Sequence, residues 1–296
     1  MKANPQVRRW AGAAALLLGA GGLGGGGALA QTAVPTSGLY IGAGGSINVA
    51  RFDTQNTYFA GVSDAFQNGV RVLSGAAEGP ARNPIGSDVA AAPNAQIGYY
   101  RNFRDSRWLW GAKASYSYLG ASASASNSLL PQFGGFTTTD GTYVPFTGNG
   151  VARSYQMRAQ HQVTLTPFLG YTTDRGFLYL GGGPTLTRIQ TDVNGLIGFA
   201  DINGQVTNVS GPPQNFSSAG WVWGGMVIAG VTWFLTPDWF LDFAYTASAT
   251  QRQSGVHNSP FINTADPRGV TQGSVFLSTS GGVVIQGATL TLNRRF

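Results

Sequence analysis

Apolar and polar residues alternate one by one along several long stretches of this chain. Every second residue from Trp239 to Tyr245 is large and apolar, and Asp242 lies between them. The side chains of a β-strand point alternately to its two faces, so a period of two predicts strands. After residue 30, no segment has the ~18 uncharged apolar residues that a membrane-spanning helix needs. We therefore predict an all-β chain, with clear alternation also in three other stretches: 39–49, 108–118 and 221–233.

The low charge of the chain indicates what these strands face. Only 10% of the residues are Asp, Glu, Lys or Arg, against about 25% in ordinary soluble proteins. A barrel whose apolar face meets lipid tolerates so little charge. The alternative is a soluble β-sandwich with the tryptophans in its core, but the outer faces of a sandwich need charged residues. The composition therefore favours a membrane barrel.

Short and long connections alternate along the chain. Turn residues cluster at Asn102–Arg107, Thr172–Gly176 and Thr236–Asp238. Polar stretches rich in Gly, Ser, Thr and Asn separate them at 53–88, 121–153, 190–218 and 250–274. We therefore predict an eight-stranded antiparallel up-and-down transmembrane β-barrel with short periplasmic turns and four long extracellular loops, as in bacterial outer membranes. The predicted strands are 39–52, 89–102, 107–120, 155–171, 177–190, 220–235, 239–249 and 280–296.

The first 30 residues have the layout of a secretory signal peptide. Lys2, Arg8 and Arg9 precede an uncharged stretch, and Ala28-Leu29-Ala30 is a small-x-small cleavage site. The alternative is a transmembrane anchor, although seven glycines from position 19 to position 27 disfavour a stable helix. We predict that residues 1–30 are a cleaved signal peptide, that residues 31–296 form the barrel domain, and that the mature chain is exported across the inner membrane.

Tryptophans are spaced as expected for the two edges of a membrane. Trp223 and Trp233 are ten residues apart on one predicted strand. At ~3.3 Å per residue and ~45° of tilt, this spacing corresponds to about 23–24 Å along the membrane normal. The apolar band between the aromatic girdles of such barrels measures ~25 Å. We predict that six tryptophans form these girdles: Trp108, Trp110, Trp221, Trp223, Trp233 and Trp239.

The stretch from Gly230 to Tyr245 resembles the penultimate hairpin of small outer-membrane barrels of Gram-negative bacteria. These include the OmpA-type transmembrane domain, the OmpW family and the alphaproteobacterial surface-antigen barrels. Their Gly-x-x-aromatic strand and Leu-Thr-x-Asn/Asp-Trp turn are similar to Gly230–Trp233 and Leu235–Trp239 here. Phe296 ends the chain with Leu292 and Leu290 on the same parity, and this ending resembles the signal that the barrel-insertion machinery recognises. The resemblance implies an outer-membrane location, with lipid and lipopolysaccharide as surroundings.

A few charged residues fall on the predicted inward parity. Lys113 and Asp242 lie on opposite strands at similar height, so we predict a buried pair or network that Gln96 could join. Arg158 and Arg188 are predicted to extend this interior polar network towards the extracellular mouth. Buried charges must be paired to be tolerated, which favours a structural plug; the alternative is a gate or a proton path.

The rare residue types exclude several kinds of chemistry. The chain has no cysteine, two histidines and one glutamate, so we predict no metal, no cofactor and no catalytic site. Positive charges are not clustered, which argues against nucleic acid. His257-Asn258-Ser259 has the His-x-Ser spacing of outer-membrane lipid A deacylases, but Asp266 is the only nearby acid and the segment is predicted as a loop. His161 is interpreted as a wall or interface residue.

Three functions follow in order of preference. The first is a non-enzymatic outer-membrane protein that serves envelope integrity, adhesion or recognition through its loops, for which the sequence names no ligand. The second is a narrow porin-like channel for small or hydrophobic solutes. The third is a lipid A-modifying enzyme acting through His257.

Overall fold

The strands of this protein close into a barrel. The computed structural model describes residues 34–104, 106–202, 204–264 and 269–296, so the predicted signal peptide lies outside the described residues. None of the described residues belongs to a helix long and apolar enough to cross a membrane. The described residues form thirteen strands: β1 (Ser37–Phe52), β2 (Gln55–Gln67), β3 (Val70–Asn83), β4 (Gly86–Asn102), β5 (Trp108–Thr138), β6 (Tyr143–Thr172), β7 (Gly176–Ile202), β8 (Gln205–Asn208), β9 (Gln214–Phe234), β10 (Trp239–Thr250), β11 (Gln253–Asn263), β12 (Val270–Gly281) and β13 (Val283–Arg295).

Eight of these strands form the closed ring. Each pairs antiparallel with the next in the order β1, β4, β5, β6, β7, β9, β10, β13, and β13 pairs with β1. Tyr40 lies opposite Arg295 in the pairing of β1 with β13 that closes the ring. Closure leaves no unpaired strand edge within this part of the chain. The prediction of an eight-stranded antiparallel barrel is confirmed.

The two ends of the barrel differ. The short connections between β4 and β5, β6 and β7, and β9 and β10 lie at one end, which we call the short-turn end. At the other end, the hairpin end, the chain returns through four long excursions. The excursions are built of strand: β2 with β3, β5 with β6, β7 with β8, and β11 with β12. The stretches expected as loops are thus largely paired.

The composition of the excursions is compatible with strand pairing beyond the ring. Ser, Thr and Gly alternate with apolar residues in these excursions. Such stretches can form the same interstrand backbone hydrogen bonds as the ring strands. Tight turns end two of them: Asn68-Gly69, with φ of 50° and 79°, closes β2 onto β3, and Gly141 has a φ of 86° between β5 and β6. Asn-Gly is the favoured pair for a two-residue hairpin turn because both residues tolerate positive φ.

Two irregularities on adjacent strands change which side chains face inward. The pairing of β5 with β6 shifts between Tyr118 and Ala121, and that of β6 with β7 shifts between Ala159 and Gln162. Both Gln162 and Ala159 are buried although they are three residues apart. An odd spacing between two inward residues means that β6 has a bulge here. Beyond this β6 bulge the other parity of residues faces the lumen, as expected where an extra residue enters a strand.

Candidate functional site

A polar network crosses the lumen on the short-turn side. The Lys113 Nζ lies 3.0 Å from the Asp242 Oδ2, and both residues are buried, at 4% and 3% exposure. The Lys113 ammonium also donates to the Tyr179 hydroxyl at 2.8 Å. That hydroxyl in turn donates to the Asp242 Oδ1 at 2.8 Å. Each charge therefore has a partner of the opposite sign and a further hydrogen bond, the condition under which buried charges are tolerated.

Gln96 extends this network to the strand that closes the barrel. Its Nε2 lies within donor distance of the Asp242 Oδ2 (3.1 Å), the Thr291 Oγ1 (2.9 Å) and the Asn293 Oδ1 (2.8 Å). β4, β5, β7, β10 and β13 all contribute to the resulting polar layer. The sequence analysis missed Tyr179, Thr291 and Asn293, although their inward parity on neighbouring strands was a usable signal.

Apolar clusters lie on both sides of the network. An aromatic cluster fills the lumen at the short-turn end and includes Tyr100, Phe168, Phe177, Phe234 and Phe240. Their rings pack in tilted and stacked pairs, such as Phe234 with Phe240 at 5.0 Å between centroids. A second cluster at the hairpin end contains fully buried Tyr155, Met157 and Leu277, among others. The interior of this small barrel is therefore packed with its own side chains, as the diameter of eight strands allows.

Arg158 and Arg188 do not belong to the interior network, and this expectation is corrected. Arg188 alternates with the inward Thr187 and Ile189, so its side chain is exposed on the outside of β7. Arg158 shares the parity of the inward Gln162, but the β6 bulge turns it outward. There its guanidinium lies 3.6 Å from the Asp192 carboxylate.

The outside of the barrel carries a continuous apolar surface, which we call the outward band. Its members are large aliphatic and aromatic side chains that the ring strands expose, with tryptophans towards both edges. Trp108, Trp110, Trp233 and Trp239 lie near the short-turn end, whereas Trp221 and Trp223 lie towards the hairpin end. The aliphatic members include Leu39, Ile41, Ile47, Val49, Ile97, Leu165, Leu169, Leu178, Leu180, Val227, Val231, Leu290 and Leu292.

The C-terminal residues lie on this same outer surface. Phe296, Leu292 and Leu290 are exposed, and the Phe296 backbone N–H donates to the Leu39 carbonyl at 2.8 Å. The Arg294 guanidinium lies over the Phe296 and Trp239 rings.

Neither histidine contacts an acidic side chain among the described residues. His257 lies on strand β11 rather than in a loop, and its ring packs 5.3 Å from that of Phe216. Asp266 lies outside the described residues. The His161 Nδ1 is 2.8 Å from the Tyr116 hydroxyl on the outside of the barrel. Among the described residues, no three His, Cys, Asp or Glu side chains could hold a metal ion.

Polar contacts order the hairpin end. At the β5–β6 turn, Asp140 accepts hydrogen bonds from the Thr138 hydroxyl and from the Thr142 backbone and hydroxyl. These bonds, that of Thr138 foremost, hold the pKa of Asp140 below its usual value. The turn is therefore stabilised at neutral pH and loses this contribution as the pH falls through the lowered pKa.

A cavity of about 530 Å³ lies within the hairpin end. Phe59, Phe261 and Val275 belong both to its lining and to the second apolar cluster, so that cluster forms its floor. Phe136 and Phe146, which stack at 6.4 Å, line its wall. None of the described residues that line it is ionisable. The volume and the uncharged, mainly apolar lining are those of a small-molecule pocket.

No protein-family model matches the chain, and no curated protein matches it significantly. Solved structures to which it is similar include three outer-membrane or surface proteins of bacteria. The outer membrane protein OprG from Pseudomonas aeruginosa is 12% identical, with 90% of this chain and 98% of that chain covered and a TM-score of 0.33. Ail, the attachment invasion locus protein of Yersinia pestis, is 13% identical, with coverage of 86% and 99% and a TM-score of 0.28. Neisserial surface protein A is 13% identical, with coverage of 77% and 95% and a TM-score of 0.28. At such scores these likenesses carry no argument, and the function must be inferred from the geometry of this chain.

Proposed function

We propose that this chain is an integral outer-membrane barrel with a closed lumen and a non-enzymatic role at the cell surface. The observation that carries the proposal is the outward band, apolar between two groups of tryptophans, around an interior whose charges are paired. Exposed apolar surface of this extent is unfavourable in water but favourable against lipid. Lipopolysaccharide and lipid would then be its immediate partners, and Phe296 with Leu290 and Leu292 would present the insertion signal.

Orientation follows from the asymmetry of the two ends. Outer-membrane barrels have short turns in the periplasm and longer connections outside the cell. The hairpin end would therefore project from the cell surface, held rigid by strand pairing rather than by flexible loops. A rigid and polar hairpin end is suited to recognition or adhesion. The packed lumen, with its polar layer between two apolar clusters, favours a structural plug over a conducting pore.

Thiol labelling of intact cells tests both location and orientation, because the chain has no native cysteine. We expect Val70→Cys, at an exposed position beside the β2–β3 turn, to react with a membrane-impermeant maleimide on intact cells. Thr173→Cys, at the β6–β7 turn, should react only after the outer membrane is permeabilised. Labelling of Thr173→Cys alone on intact cells would contradict the orientation, and equal labelling of both in the soluble fraction would contradict the membrane location.

The cavity at the hairpin end favours a second candidate function, the binding of a small uncharged apolar solute from outside. Gly61 lines the cavity, and a Cβ added there meets only the Ser274 carbonyl at 3.9 Å. Gly61→Phe is therefore expected to fill the space and abolish binding of an uncharged naphthalene-type fluorescent probe. Ala60→Phe, on the outward side of the same strand and outside the lining of the cavity, is the matched control. Equal binding by both variants would argue against this site.

A further inference from the structure

Two outward arginines lie beside the hairpin-side edge of the outward band. Arg188 on β7 is paired with Trp221 on β9, so the two side chains are neighbours on the outer face. Arg158 on β6 is paired with Gln190, two residues beyond Arg188. Side chains in this diagonal relation have Cα atoms roughly 7–8 Å apart, within reach of each other for long side chains. One small ligand could therefore contact both guanidinium groups.

The two arginines differ in how they are held. Arg158 donates to the Gln156 Oε1 at 2.7 Å and lies 3.6 Å from the Asp192 carboxylate. The same carboxylate accepts from the Ser217 hydroxyl at 2.6 Å and from the Gln190 amide at 3.0 Å. Arg188, by contrast, has no ion-pair or hydrogen-bond partner in the part of the chain that the structure describes. The patch thus combines the Arg158 guanidinium, which its neighbours hold in place, with the Arg188 guanidinium, whose positive charge no described acidic group neutralises.

Aromatic groups border the same patch. The two unpaired positions of the β6 bulge place His161 on the outer face, 6.2 Å from the Trp221 ring and 5.2 Å from the Tyr118 ring between centroids. Tyr and Trp are enriched at the depth of lipid headgroups, because one part of each ring is apolar and another is polar. These neighbours place the arginines at an interface rather than in bulk water.

The height of Arg188 agrees with this placement. Twelve residues separate it from Gly176 at the start of β7. At ~3.3 Å per residue and ~45° of tilt, Arg188 lies about 28 Å above the short-turn end. An apolar band of ~25 Å would end just below it. The guanidinium groups of Arg188 and Arg158 would then lie at the level of the outer headgroups.

We propose that Arg188 and Arg158 bind a phosphate group of lipopolysaccharide in the outer leaflet. The proposal rests on the membrane location inferred above. A guanidinium presents a planar fork of donors that matches phosphate oxygens, and charge assistance makes such bonds strong. Both arginines face away from the lumen, so the anion they reach is that of a neighbouring lipid. Asp192 orients Arg158, while Arg188 supplies the uncompensated positive charge.

Binding of purified lipid A to the detergent-refolded full chain tests this site, with native mass spectrometry as the readout. The wild type is expected to bind lipid A carrying its phosphates roughly tenfold more tightly than lipid A from which they have been removed. Arg188→Gln should lose most of this preference, and the double variant with Arg158→Gln should lose all of it. Arg188→Lys keeps the positive charge but loses the planar fork of guanidinium donors. This variant should retain part of the preference for phosphorylated lipid A.

Arg71→Gln is the matched control, because Arg71 is an exposed arginine near the β2–β3 turn, far from the outward band. It should keep the full preference for the phosphorylated lipid. Heat-modifiable migration on gels establishes that each variant is folded. A folded Arg188→Gln with wild-type preference would overturn the phosphate site and leave the membrane proposal intact. A wild type that never acquires the heat-modifiable form would instead contradict the membrane proposal, and the phosphate site with it.

Discussion

Asp242→Ala is expected to destabilise the folded barrel by about 3–5 kcal/mol. Among the described residues, the substitution leaves the buried Lys113 ammonium with the Tyr179 hydroxyl as its one hydrogen-bond partner. It also removes the acceptor used by Tyr179 and Gln96. Urea unfolding of the refolded protein, followed by tryptophan fluorescence in detergent or lipid, measures the change in the free energy of unfolding.

Asp238→Ala is the matched control for this prediction. Asp238 pairs with Arg295 at 3.1 Å, nearly the same distance as the Lys113–Asp242 pair, but its side chain is 65% exposed. Exposed pairs contribute about 0–1 kcal/mol because water solvates both charges well. If the two variants lost equal stability, the buried network would have no special role in holding the barrel closed.

Leu180→Arg is expected to destabilise the membrane-inserted barrel by about 2–4 kcal/mol. Leu180 is 67% exposed and lies opposite Ala229, close to halfway between Trp223 and Trp233 along β9. If the outward band faces lipid, an arginine here enters the centre of the hydrocarbon layer. Folding titrations into lipid vesicles, which give the free energy of insertion and folding together, measure the effect.

Val206→Arg separates a lipid effect from the general effect of adding an arginine. Val206 is 72% exposed, on β8 at the hairpin end. An arginine there remains in water and should change stability by less than about 0.5 kcal/mol. Equal tolerance of arginine at both positions would mean that Leu180 does not face lipid.

The alternation of residue types predicted the ring of strands because the outward face and the packed lumen contain different kinds of side chain. From Trp221 to Trp233 the outward parity is apolar except at Gly225, and the observed facing of β9 follows the parity of its sequence. The same reasoning places Lys113 and Asp242 inward, where the structure has them 3.0 Å apart. Where a ring strand has an apolar outward face and a packed inward face, the facing of its side chains can thus be predicted from the sequence.

Arg158 shows where such reasoning stops. A bulge adds one residue to a strand and reverses every facing beyond it, and neither Gln160 nor His161 marks it in the sequence. The excursions beyond the ring are a second case. Where neither face of a strand has to be apolar, both faces can carry Ser, Thr and Gly. The composition of stretch 121–153 is therefore equally compatible with a loop and with a hairpin. The cavity inside these hairpins depends on that pairing and was not foreseeable.

The facing of β9 between Met226 and Ala229 tests the central claim most directly. Single spin-labelled cysteines at these four positions, in the protein reconstituted in lipid vesicles, report whether each side chain collides with oxygen dissolved in hydrocarbon. We expect strong collision at 227 and 229 and protection at 226 and 228, where the native side chains are buried in the lumen. Reversed parity, or equal access of a water-soluble relaxing agent at all four positions, would contradict a barrel with its apolar face in lipid.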